Sequence, residues 1–288
     1  MADGDRNALV RQLAGALANV AVVTALLVYF GWQRVAVQAR QLGVDESLFR
    51  ISTREYLLRS VRPVLILLIA VALAGLCWVA VDRWLAGRLP TSDGGPDDVA
   101  RWAIRLLSSA VVVLPFLVWL GGFVFPATAF VAFPLAIGAG LLLLLYALQV
   151  RRTFPGHEPL PASRDTVVRA SAALLTGICL FTAAANYATV EGNRLAREFV
   201  ADLPSQPRVV VYSPEHLEID APGVSEEPLA PDQSAYLFRY VGLRLLEHID
   251  GTYFLVSDGW TPRYGVVVML SENPSLRMEF VRGAPGPG

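Results

Sequence analysis

The first 190 residues consist of apolar runs separated by polar breaks, and the remainder changes to short alternations of apolar and polar positions. A helix needs about 20 apolar residues, at ~1.5 Å each, to cross ~30 Å of hydrocarbon. Runs of that length predict membrane spans at about 12–33, 63–81, 106–123, 127–149 and 170–190. The third and fourth spans come from one stretch, since residues 106–150 hold no Asp, Glu, Arg or His and as one helix would be about twice the bilayer thickness. Gly121, Gly122 and Pro126 supply the break, because glycine loosens a helix and proline removes a backbone donor. Pro134 predicts a kink in the fourth span. A cleaved signal peptide is the rival reading of the first run. Its apolar core continues into Tyr29, Phe30 and Trp32 without a small-x-small site, so an uncleaved anchor is expected.

The polar breaks carry their own signals. Residues 34–62 contain six Arg with Asp45, Glu46 and Glu55, too polar for lipid, and predict an interfacial segment. Within it, Ser52 and Glu55 have capping-box spacing and Ile51 can meet Tyr56 as a hydrophobic staple, so a helix should begin at Thr53. Residues 87–96 read as a turn, and 151–165, with three prolines, as a polar connection that includes His157 and Glu158. Ala173 and Gly177 in the fifth span have small-xxx-small spacing, which favours close packing within the chain or across a homodimer.

A membrane domain is therefore expected over 1–193, a linker helix over 194–206, a soluble β-domain over 207–283 and a disordered tail over 284–288. In the β-domain, Arg208 to Tyr212 is β-branched, and Leu276, Met278 and Phe280 alternate with charged residues as a half-buried strand requires. Asp250-Gly251 and Asp258-Gly259 are turn signals separating strands over 236–248, 252–257 and 265–270, and Gly242 marks a bulge. The fold class expected is an α-helical membrane bundle of about five spans plus a small antiparallel β-domain of about five strands.

Composition agrees: 54% hydrophobic and 17% charged residues, with a mean hydropathy of +0.47, lie outside the soluble globular range. The net charge of −1 gives no basic footprint for phosphate, so nucleic acid is not an expected partner. All 24 basic residues are Arg, which fits a GC-rich bacterial genome. Cys77 and Cys179 both fall in apolar runs, where thiols pack as small hydrophobes.

Few residues suggest chemistry. His216, Glu218 and Asp220 alternate and on a strand would share one face, a weak candidate for a metal site against the plainer reading of a solvated face. His248 precedes a turn and has no ligand spacing to a partner. Gly138-x-Gly140 lies in an apolar helix without a preceding strand or a phosphate-binding Lys, so helix packing explains it. No nucleophile elbow or zinc-binding helix motif occurs, no catalytic or cofactor-binding residue is assigned and no cofactor is expected. The spans hold no ionisable residue, as coupled ion transport would require, and Asn186 is the most polar residue of the fifth, suited to an interhelical hydrogen bond.

Five spans place the termini on opposite faces. With the N-terminus inside, ten arginines are cytoplasmic against eight outside, which favours a C-terminal domain outside the bacterial cytoplasmic membrane. Tyr29-Phe30-Gly31-Trp32 with LGVDESLFRISTREYLLRSVRP (42–63), and GLRLLEHIDGTYFLVSDGW (242–260), resemble multi-pass membrane proteins of actinobacteria that carry no established activity. The expected function is non-enzymatic: a bundle in the lipid bilayer anchors a β-domain for sensing or for binding a protein partner, through that domain or through 34–62. A transporter or channel component, its pore lined by Thr24, Ser108, Ser109, Thr176 and Asn186, is the alternative. A metal-dependent enzyme on the β-domain is a third reading.

Overall fold

A computed structural model of the protein describes residues 2–86, 98–152, 162–230 and 235–283. The expected turn at 87–96, most of the connection at 151–165 with His157 and Glu158, and the tail at 284–288 lie outside the described residues. Five α-helices are described, α1 (Ala2–Gln41), α2 (Thr53–Ala86), α3 (Asp98–Gly121), α4 (Pro126–Arg152) and α5 (Ala162–Ala201). Six strands follow, β1 (Arg208–Ser213), β2 (Ser225–Pro228), β3 (Phe238–Ile249), β4 (Thr252–Ser257), β5 (Val267–Ser271) and β6 (Arg277–Val281). Among the described residues three helices are long and apolar enough to cross a membrane, at Ile104–Gly121, Pro126–Gln149 and Thr166–Ala201.

The chain divides into two compact units, Met1–Phe30 with Leu57–Val190, and Gly31–Tyr56 with Glu191–Gly288. This differs from the boundary expected after residue 193. The segment read as interfacial supplies most of Gly31–Tyr56, and the expected linker helix at 194–206 is the continuation of α5 followed by a 3₁₀ turn at Leu203–Ser205.

In the first unit, α3 and α4 form the expected helical hairpin. The chain reverses over Gly121 to Phe125, where the amides of Gly122 and Phe125 still bond to Val118 and Gly121 at 3.0 and 2.9 Å. The two glycines of Gly138-x-Gly140 serve opposite neighbours. A Cβ at Gly140 would lie 2.7 Å from the Val111 Cα of α3, and one at Gly138 would lie 3.2 Å from the Cys179 Cβ of α5. Phe30, Val64, Ala184 and Ala188 form a further cluster joining α1, α2 and α5, with the Tyr29 and Phe181 rings tilted against each other, centroids 4.7 Å apart. Among the described residues, Gly177 meets nothing within 4 Å and Ala173 is exposed, so no seam within the chain is described at the Ala173/Gly177 pair.

In the second unit the strands form one antiparallel sheet in the order β5-β4-β3-β1-β6, with β2 also on β3. β3 is long enough to hold β2 at Phe238 to Val241 and β4 from Leu243 onward on the same edge. The changeover falls at Gly242, which opposes β1 with one residue too many, the expected bulge. Its φ of +91° and the Gly223 carbonyl, 1.9 Å from where a Cβ would sit, leave room for glycine alone. A second extra residue, Leu246, shifts the register against β4. Asp250 and Gly251, both at positive φ, close the β3–β4 hairpin as their sequence predicts.

The two faces of this sheet have different cores. Val209, Val211, Tyr240, Leu243 and Leu255 are buried on one, with Leu217, Ile219 and Val224 of the β1–β2 connection against them. On the other, Phe254 and Ile249 pack on Val35, Ala39, Val44 and Phe49, while Val256 and Trp260 pack on Leu42, Ala196 and Leu203. Phe49 meets Phe254 edge-on with ring centroids 4.6 Å apart. The end of α1, the 3₁₀ turn at Glu46–Phe49 and the end of α5 thus complete the core of the β-unit. The predicted start of α2 holds: the helix begins at Thr53, Ser52 caps Glu55 at 3.4 Å, and Ile51 and Tyr56 join the same cluster. Arg244, 4% exposed, fastens the sheet to the chain leading into it. Its guanidinium donates to Asp258 at 2.5 Å and to the carbonyls of Pro204 and Gln206 at 2.6 and 2.9 Å.

Candidate functional site

The metal-site expectation depended on a strand through His216, Glu218 and Asp220, and no strand forms there. Glu218 sits at a φ of +50°, which breaks the alternation that would have aligned the three side chains. His216 instead pairs with Glu226 of β2 at 2.9 Å and lies edge-on to Phe238. Among the described residues no three His, Cys, Asp or Glu side chains are grouped to hold a metal.

The second unit does assemble one aromatic site. β5 and β6 are consecutive in sequence yet form opposite edges of the sheet, joined by residues 272–276. Within that link Leu276 donates to the Asn273 carbonyl at 2.9 Å, so it is folded into a turn. Tyr253 of β4 and Phe280 of β6 stand three strands apart in the sheet order, about 14 Å if the sheet were flat. Their rings lie 5.8 Å apart, so the sheet curls and its concave face brings the two edges toward one another. A cavity of about 450 Å³ opens there, lined by Tyr253, Glu272, Pro274, Leu276, Met278 and Phe280. His248, which precedes the β3–β4 turn and for which the sequence shows no partner by spacing, stacks on Tyr253 at 4.0 Å and pairs with Glu272 at 3.2 Å. Burial, and then the Glu272 carboxylate, push the Tyr253 phenol above its ordinary range, keeping it a neutral donor toward Glu272. Leu276, Met278 and Phe280 were legible as one strand face, but their meeting with Tyr253 depends on the strand order, which alternation does not encode.

A larger groove, about 700 Å³, lies in the first unit among α3, α4 and α5 and is lined chiefly by aromatic and aliphatic residues, including Trp119, Phe130, Pro134, Ile178 and Asn186. The interhelical hydrogen bond at Asn186 has a clear cause. Pro134 has no N–H to give the Phe130 carbonyl four residues earlier, and the Asn186 amide of α5 donates to that oxygen at 2.6 Å. Of the polar residues considered as pore-lining, Asn186 alone borders the groove, while the Ser108 and Ser109 hydroxyls turn back onto their own helix at Ile104 and Leu106. Comparison of the chain with protein-family models, curated proteins and solved structures finds no match.

Proposed function

We propose that the protein is a non-enzymatic multi-pass protein of the bacterial cytoplasmic membrane that crosses the bilayer five times and holds a β-unit outside the cytoplasm for binding a protein partner. The observation that carries this reading is the composite core of the β-unit. The packing of Gly31–Tyr56 and Glu191–Gly288 into one folded unit supports a reading in which both segments share one side of the membrane, with an even number of crossings between them. Helices α3, α4 and α5 are each long and apolar enough for one crossing. An even count makes α2, whose sequence from 63 to 81 is free of charge, the fourth. Helix α1 is then the fifth, and the slight arginine excess on the N-terminal side favours a cytoplasmic N-terminus.

Photo-crosslinking in native membranes tests the binding role. A photoreactive residue at Tyr264 or Leu237, both exposed on the β-unit, should give one discrete protein adduct. Failure of every exposed position on the unit to give an adduct would contradict it. The alternative of a transporter or channel component is favoured by the apolar groove beside Asn186 and predicts solute or ion flux in proteoliposomes above that of empty vesicles.

A further inference from the structure

Resting on the partner-binding reading, we propose that the seam between β5 and β6 is a strand-addition site, at which an extended, basic segment of a partner pairs its backbone with the free edge of β5 and places alternate side chains in the cavity beside Phe280. Among the described residues each edge strand pairs with one neighbour in the sheet, leaving a row of main-chain donors and acceptors on its other side. Natural edges are usually blunted by charge, proline or a bulge. β5 reads Val267-Val268-Met269-Leu270-Ser271, with no charge and no proline, and keeps continuous register with β4. An extended backbone is the ligand that such an edge accepts, and apolar pockets beneath alternate residues give it selectivity. A pocket lies next to that edge: Tyr253 of β4, Leu276 of the link, and Met278 and a half-exposed Phe280 of β6 line it, and the link that follows β5 forms its lip.

Charge complementarity indicates a basic segment. From residue 200 onward the chain carries twelve Asp and Glu against six Arg. At the lip of the cavity the Glu272 carboxylate is 60% exposed, while Arg277 is already engaged by Glu279 at 2.8 Å. A peptide entering the seam therefore meets net negative potential, which favours cationic flanks and faster association.

The test uses the full-length protein purified in nanodiscs and panned against a displayed library of short random peptides. Selected peptides should alternate apolar residues with Arg or Lys, slow amide exchange in β5, and bind F280R about tenfold more weakly. Exchange mapping on the unsubstituted protein keeps the test independent of whether F280R folds. Peptides that protect other surfaces and leave β5 unprotected, or a library that yields none, overturn the proposal. If crosslinks at Tyr264 or Leu237 still capture a partner in that case, the binding reading stands and only the seam is wrong; if neither experiment finds a ligand, both fall.

Discussion

Replacing Asn186 with Leu tests whether an amide from α5 compensates a proline in α4. The Phe130 carbonyl lacks the usual N–H four residues on, because residue 134 is proline, and it lies in a helix apolar enough to cross a membrane, where water offers no substitute donor. Removing the Asn186 donor at 2.6 Å leaves that oxygen unsatisfied in an apolar groove. Interhelical hydrogen bonds in membranes contribute about 0.6 kcal/mol on average and up to about 1.7, and an unsatisfied buried carbonyl costs about 1–3. Asn186→Leu should therefore destabilise the first unit by about 1–2 kcal/mol. Pro134→Ala restores the intrahelical donor, so in that background the same change should cost about 0.5 kcal/mol or less. Reversible unfolding of the four proteins in mixed detergent micelles, followed by helicity, gives the coupling. Equal losses in the two backgrounds would refute the compensation.

Four further outcomes follow from the β-unit. Residues 205–283 expressed alone should not fold cooperatively, since Phe254, Val256 and Trp260 lose the residues of α1 and α5 that cover them; a sharp thermal transition for that fragment would contradict the composite core. In the whole protein Phe49→Ala should cost about 3–5 kcal/mol in chemical unfolding of the β-unit. Arg244→Ala should cost a similar ~3–5 kcal/mol, because it strands two carbonyls and a carboxylate, whereas Asp258→Asn, at a partly exposed group, should cost less by the same measurement. Burial raises the Tyr240 phenol, whose oxygen accepts from the Leu217 amide at 2.7 Å; the fold holds this proton more tightly than the unfolded chain, so its contribution is present below about pH 10 and lost as pH rises further. Unfolding midpoints should fall above that pH, and less steeply in Tyr240→Phe.

Local signals carried the secondary structure well. The α3–α4 reversal at Gly121 to Phe125, the start of α2 at Thr53, the β3–β4 turn at Asp250-Gly251 and the bulge at Gly242 each depend on residues within a few positions, and each was legible. The short β2, Ser225–Pro228, was missed because its four residues are all exposed and give no apolar alternation. The membership of Gly31–Tyr56 in the β-unit was hidden for another reason. Its arginines resemble an interfacial loop, and its apolar residues Val35, Leu42, Val44 and Phe49 find their partners some 200 residues later. One signal was available: Tyr253 to Val256 is an unbroken apolar run, as a strand buried on both faces requires, which implied a second layer over the sheet. The stretches at 42–63 and 242–260, which carried the resemblance noted above, supply much of that shared core.

The central claim is that two distant segments fold together on the non-cytoplasmic face of a five-span protein. The direct measurement is labelling by a membrane-impermeant maleimide in intact cells, with Cys77 and Cys179 replaced and single cysteines placed at Ala2, Leu48 and Tyr264. Cysteines at 48 and 264 should label from outside, and the one at 2 only after lysis. Labelling of 48 and 264 from opposite sides would break the shared unit, and labelling of 2 and 264 from the same side would contradict an odd number of crossings.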